Sequence, residues 1–242
     1  MRYLVLADIH ANLEAMDAVL ADAPPFDEVL FLGDLVGYGP NPNEVADRLR
    51  SIPRMTAIVG NHDWAALGKL DTAEFNPLAR QAAEWTATQM RPDVRAFLDV
   101  LEPVTGAHSM VMAHGSPRDP IWEYLESEFQ GPASFASFQG PICLVGHTHV
   151  PRVFLDQPEG RTLVFDVREG DVLDLSTGRL IVNPGGVGQP RDGDPRAAYG
   201  LLDTDERSFT FYRVQDPVDV TQKKMLEAGL PEPLAARLEL GI

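Results

Sequence analysis

The chain has 242 residues, 44% of them hydrophobic, so it is long enough to bury a sizeable core, and its single cysteine excludes an internal disulfide. A formal charge of −16 and a pI near 4.6 argue against stable nucleic-acid binding, which needs clustered Lys and Arg; a small anionic substrate stays possible because distant surface charge is screened. The apolar runs are too short for a membrane span, and the first leads into Asp8 and His10 where a secretory leader would carry small residues, so a soluble cytoplasmic protein is expected.

In chain order, Tyr3 to Ala7 reads as a strand running into Asp8 and His10. Leu13, Met16, Val19 and Leu20 then recur at helical spacing, with Asn12 placed as the cap. A second strand, Val29 to Leu32, runs into Gly33 and Asp34. Asn41, Pro42 and Glu44 open a helix to about Arg50, whose amino end is expected beside Asp34. The third strand, Met55 to Val59, ends on Gly60, Asn61, His62 and Asp63. From Leu67 to Leu101 the pattern is helical, with Leu78, Ala82 and Trp85 on one face, and packing against the sheet is expected in preference to a lid. Ser109 to Ala113 runs into His114, and Ile142 to Val145 into Gly146, His147, Thr148 and His149; helical stretches are expected around 121–128 and 132–138. Cys143, inside its strand, reads as a small buried hydrophobe.

Beyond His149 six shorter strands follow, at 152–155, 162–167, 171–175, 179–182, 199–203 and 208–214, and are expected to form a second, mainly antiparallel sheet on the first. The tail from Asp216 to Leu240 reads as two short helices broken at Gly229 to Pro231. No linker or repeat divides the chain. A single domain over 1–242 is expected, with its motifs in 1–150 and the further strands and helices in 151–242.

Five of the six histidines thus lie just past a predicted strand, and open α/β sheets bind ligands at the carboxyl ends of their strands. In an extended segment residues i and i+2 face one way, so Asp8 with His10, and His147 with His149, can each reach one ion. Imidazole, carboxylate and amide without thiolate suit manganese, iron, nickel, cobalt or zinc. Seven candidate ligands (Asp8, His10, Asp34, Asn61, His114, His147 and His149) are too many for one tetrahedral ion and suit two divalent ions roughly 3.5 to 4 Å apart.

With Asp-x-His, Gly-Asp, Gly-Asn-His-Asp, His-Gly and Gly-His-x-His in this order, the chain resembles the calcineurin-like metallophosphoesterase superfamily, its small bacterial phosphodiesterase-like branch in particular. The resemblance spans Asp8 to His149 and extends loosely to Asn183–Gly188. It implies an α/β, four-layer αββα sandwich: two mixed sheets face to face with helices outside. It also implies two divalent metal ions, one on Asp8, His10, Asp34 and His149, the other on Asp34, Asn61, His114 and His147, with Asp34 bridging. A hydroxide between the ions would attack the phosphorus of a small phosphodiester. Asn61 and His62 would contact the phosphate, His62 would serve the leaving oxygen, and Asp63 would orient the His62 ring. A homodimer is a possibility by family habit alone.

Protein serine/threonine phosphatases of the superfamily carry a phosphate-clamping arginine where this chain has Tyr38, which disfavours that activity. Phosphomonoesterase and dinucleoside polyphosphate hydrolase remain open alternatives. A non-enzymatic scaffold of the same fold need not retain His62 and all seven ligands. His108 is read as structural or surface; Arg118 and Arg191 could contact a substrate phosphate but are read in preference as solvated loop arginines.

Overall fold

The computed structural model describes residues 1–242. The chain opens with β1 (Arg2–Leu6), α1 (Leu13–Asp22), β2 (Glu28–Phe31), α2 (Pro42–Arg50) and β3 (Met55–Ala57). Helices α3 (Asn61–Leu67), α4 (Pro77–Gln89) and α5 (Pro92–Asp99) follow, then β4 (Val104–Ala107), β5 (Met110–Ala113), α6 (Gly131–Ala136) and β6 (Ile142–Leu144). Next come β7 (Arg152–Gln157), β8 (Arg161–Asp166), β9 (Val172–Asp174), β10 (Leu180–Asn183), β11 (Ala197–Asp203) and β12 (Ser208–Val214), and the chain closes with α7 (Val218–Glu227) and α8 (Glu232–Leu240). No helix is long and apolar enough to cross a membrane.

The strands form two six-stranded mixed sheets, ordered β3-β2-β1-β11-β12-β9 and β4-β5-β6-β10-β7-β8. This is the expected α/β sandwich, but the strands are distributed differently. The five strands that end on site residues divide between the sheets, β1 to β3 in one and β5 and β6 in the other. The six later strands do not make a sheet of their own. β11 pairs antiparallel with the open edge of β1, and β10 pairs parallel with the open edge of β6, so each sheet takes three of them. Apolar patterning records which faces are buried; it carries no label for which strand closes which edge.

The patterning itself is explained by the layers. In β1, Leu4 and Leu6 point into a core shared with α1, α2 and α5, whereas Tyr3 and Val5 point between the sheets. In and just beyond β2, Val29 and Phe31 take the helical side and Leu30 and Leu32 the inter-sheet side. Both faces are dry, which is why these strands read as continuous apolar runs rather than alternating ones. Each such side chain contributes about 1.5–3 kcal/mol on burial. The outer face of the second sheet is covered by Phe135 and Phe138 around Cys143, Phe154 and Ile181.

Three local expectations are corrected. Helix α4 does not lie on a sheet: Ala79 and Ala82 pack with Tyr38 and with Met225, Leu230, Leu234 and Leu238 of the C-terminal region, while Leu78 is exposed. Residues 121–128 are not helical; Asp119 accepts the Trp122 amide, and the Gln130 side chain accepts those of Glu126 and Ser127, so local side chains hold the backbone in turns. Strand β4 has no sequence signal of its own because it is a half-exposed edge strand, joined to β5 through His108 and Ser109 at φ 50° and 68° without the usual Asn-Gly signal. Asn12 does cap α1, its Oδ1 accepting from the Ala15 amide at 3.1 Å, whereas the Asn41 side chain makes no cap bond to α2.

Candidate active site

The loops after β1, β2, β5 and β6 converge. They bring ligand atoms of Asp8, His10, Asp34 and His149 within 4.8 Å of one another, and likewise those of Asp34, His114 and His147. Asn61, at the start of α3, joins the second group with its Oδ1 3.1 Å from His114 Nε2. None of the seven is more than 2% exposed.

The backbone that does this is not extended. Asp8, His10, Asp34, His147 and His149 have φ of 55°, 48°, 57°, 67° and 59°, a left-handed region that side chains other than glycine adopt at a cost of about 1 kcal/mol or more each. Cross-loop bonds hold them there: the Asp8 and His10 amides donate to Gly33 O and Asp34 O at 3.0 Å, and the Gly188 amide to Asp8 O at 2.9 Å. Asp8 and His10 do converge in one donor group, but through curled loops rather than strand alternation, whereas His147 and His149, expected to reach one ion together, are separated: His149 joins Asp8 and His10, and His147 joins His114. Gly33 sits where a Cβ would lie 2.8 Å from both the Gly60 nitrogen and His114 Nδ1, so only glycine lets the loops close.

Backbone carbonyls set the imidazoles. Nδ1 of His10 lies 3.1 Å from Val36 O, that of His114 2.8 Å from Leu32 O and that of His149 2.6 Å from Gln189 O. A carbonyl only accepts, so each Nδ1 carries the proton and each Nε2 turns inward. Nε2 of His10 and of His149 are 3.1 Å apart, and burial holds both rings well below the usual histidine pKa. Two lone pairs facing each other in a dry site repel unless a cation lies between them. The Asp34 Oδ2 atom is buried without a hydrogen-bond partner, 3.3 Å from His114 Nε2 and 3.6 Å from His10 Nε2, and His147 Nε2 is also buried and unpartnered. These donors fit divalent transition ions.

Charge is unevenly held. Burial opposes ionisation of Asp34, yet His114, His62 and His10 keep its carboxyl far below the usual range. Burial pushes Asp8 up to about 7. His114 is also desolvated, but Asp34 and Asp8 outweigh this and raise it to about 9. His147 is lowered to about 3 by burial and by the charge on His114.

His62 occupies the first turn of α3, its amide donating to Asp34 Oδ1 at 2.9 Å. Its ring lies against Tyr38, Phe75 and His10 at centroid distances of 4.4, 4.8 and 5.0 Å, with Nδ1 buried and unpartnered. Burial lowers it to about 4. The expected pairing with Asp63 is not made. Asp63 instead accepts the amides of Asp34, Val36 and Gly60 at 2.9, 3.0 and 3.0 Å. It stands at the third position of α3, the place from which an acidic side chain returns to the helix start, and here it also ties the Asp34 loop to that start.

Three further residues belong to the site. Asn183 is buried, donates to Gly146 O and Thr148 Oγ1 at 2.7 and 2.9 Å, and so pins the loop carrying His147 and His149. Gln189 supplies the carbonyl that sets His149. Arg191 is part-buried with its guanidinium 5.7 Å from the Tyr38 ring centroid, so it is not a freely solvated loop arginine. Arg118 pairs with Glu123, and His108 lies 3.2 Å from Glu28 and against Tyr3. The Cys143 thiol is buried and its pKa pushed up by desolvation, which leaves it unreactive.

Comparison with known proteins agrees with this architecture. An uncharacterized protein of Methanocaldococcus jannaschii is 35% identical over 244 residues, a match covering 98% of this chain and 97% of that protein. The crystal structure of a metallophosphoesterase from Sphaerobacter thermophilus superposes with a TM-score of 0.91 at 44% identity, covering 100% of this chain and 99% of that one. A hypothetical protein from Pyrococcus horikoshii shares the fold at a TM-score of 0.78 and 18% identity, covering 100% and 98% of the two chains. The family model described as the calcineurin-like phosphoesterase superfamily domain matches residues 1–207, and the chain belongs to that superfamily.

Proposed function

We propose that this protein is a cytoplasmic hydrolase of small phosphodiesters that works with two divalent transition ions. Asp8, His10, Asp34 and His149 would hold one ion and Asp34, Asn61, His114 and His147 the other. The observation that carries the reading is the convergence of unpaired donors, with His10 and His149 Nε2 only 3.1 Å apart and Asp34 Oδ2 buried between the groups without a partner. Bound there, such ions supply Lewis acidity toward phosphoryl oxygens and a water made acidic enough to attack near neutral pH.

The protein's own part is positioning and proton handling. Asn61 turns Oδ1 to His114, which leaves its amide N–H groups for a phosphate oxygen. His62, lowered to about 4, is neutral at pH 7, so it approaches the phosphate as a hydrogen-bonding imidazole without a standing charge. An anionic phosphate beside it raises its proton affinity, so that it takes up a proton from water and passes that proton to the leaving oxygen. Tyr38 and Phe75 hold its ring in place.

Metal-loaded protein is expected to cleave an aryl phosphodiester, and His62→Ala to lose about 10²–10⁴ of that rate while retaining both ions by elemental analysis. Full turnover by the variant would remove His62 from the chemistry.

A further inference from the structure

The acidic surface of this protein neutralises most of its arginines. Arg118 pairs with Glu123, Arg213 with Asp192, and Arg196 with Asp194 and Glu169. Arg191 adjoins Asp192 in sequence, close to Asp194 and Arg196, yet it has no carboxylate partner of its own. Its Nη2 donates to Gln189 Oε1 at 2.9 Å, a neutral acceptor, and its Nε is buried with no partner at all. A part-buried guanidinium left in this state is costly, and the missing component is an anion.

The surroundings say which anion. The Arg191 backbone amide reaches His149 O at 3.4 Å, and the guanidinium lies on Tyr38, whose ring is 4.8 Å from His10 and 4.4 Å from His62. Arg191 is therefore one aromatic ring away from a candidate ligand and from the proposed acid. The side chain also lines a cavity of about 460 Å³ with Arg152, Arg168, Asp166 and Asp192, so it can be reached from solvent.

Resting on the functional reading above, we propose that Arg191 is the phosphate-binding cation of this site, seated on Tyr38 and steered by Gln189 so that its free guanidinium edge takes a non-bridging phosphate oxygen. A planar guanidinium suits this role because two of its N–H groups can engage one phosphate together, which a lysine ammonium cannot reproduce.

The test uses the metal-loaded full chain, with inorganic phosphate as the titrant in calorimetry and an aryl phosphodiester in kinetics. In Arg191→Gln the Kd for phosphate and the KM are expected to rise about tenfold or more while kcat falls less, with both ions retained, and Arg191→Lys should recover part of the loss. Unchanged Kd and KM in a glutamine variant whose parent binds phosphate and turns over the diester would overturn the role of Arg191 and leave the functional reading intact. Loss of metal from the variant would overturn it too, by making the residue structural. A wild-type protein that neither binds phosphate nor hydrolyses any phosphoester would remove the functional reading and this proposal together.

Discussion

The two donor groups share Asp34 and are equally dry, yet they balance charge in opposite ways. Around Asp8, His10 and His149 the imidazoles are neutral, with Nε2 lone pairs opposed at 3.1 Å, and the Asp8 carboxyl is pushed up to about 7 by burial. Around His114 and His147 a proton is retained, His114 being raised to about 9 by Asp34 and Asp8 despite its burial. In the first group a cation has only to arrive; in the second it has to displace a proton. A shared carboxylate can thus serve two neighbouring ion sites with different pH responses.

Removing what they share is the largest expected perturbation. Asp34→Asn keeps an acceptor for the His62 amide but removes the bridging charge, so bound metal should fall from two ions toward none and turnover by at least about a thousandfold. Retention of both ions in elemental analysis would break the idea that one carboxylate organises both groups. A pH series tests the asymmetry itself. Affinity at the first site should rise up to about pH 7 as Asp8 ionises and then level off. At the second site it should keep rising to about pH 9 as His114 sheds its proton, up to about a hundredfold beyond its value at pH 7. Calorimetric titrations with manganese that show parallel pH curves for both sites would erase the distinction.

Much of this site could be read in the sequence, because each donor follows an apolar run and donor chemistry belongs to the side chain. Asp8, His10, Asp34, Asn61, His114, His147 and His149 all carry that mark, and all seven lie together. What escaped was whatever depends on the partner across the gap. Asp63 follows His62 in sequence, yet its carboxylate is held by amides from the β2 loop as well as from Gly60, and nothing local announces Asp34 N or Val36 N as its targets. For Arg191 the sequence leaves a phosphate contact open but does not favour it over a solvated loop arginine; the Tyr38 ring beneath it is supplied by the fold. The fold class is legible from strands buried on both faces, but the allocation of β7 to β12 between the sheets is not, since apolar patterning marks buried faces and not which strand pairs with the open edge of β1 or of β6. The left-handed backbone at five of the site residues was also hidden, because Asp and His tolerate that region without requiring it.

The smallest effect concerns the metal-free protein, and it isolates the proton on His114 from the chemistry. Its folded-state pKa of about 9 lies above its ordinary value of 6.5, so its contribution to stability is complete below pH 6.5 and disappears as pH rises through 9. Urea denaturation of metal-free protein should therefore show a loss of about 1–3 kcal/mol between pH 6.5 and pH 9.5. Asp8 and Asp63, raised to about 7, lose theirs in an earlier window, between their ordinary 3.8 and pH 7, which separates the two responses along the pH axis. His114→Gln should flatten the upper window and leave the lower one. A wild-type curve already flat above pH 7 would mean that no proton stands in for the second ion, and the two halves of the site would then differ in residues but not in how they hold charge.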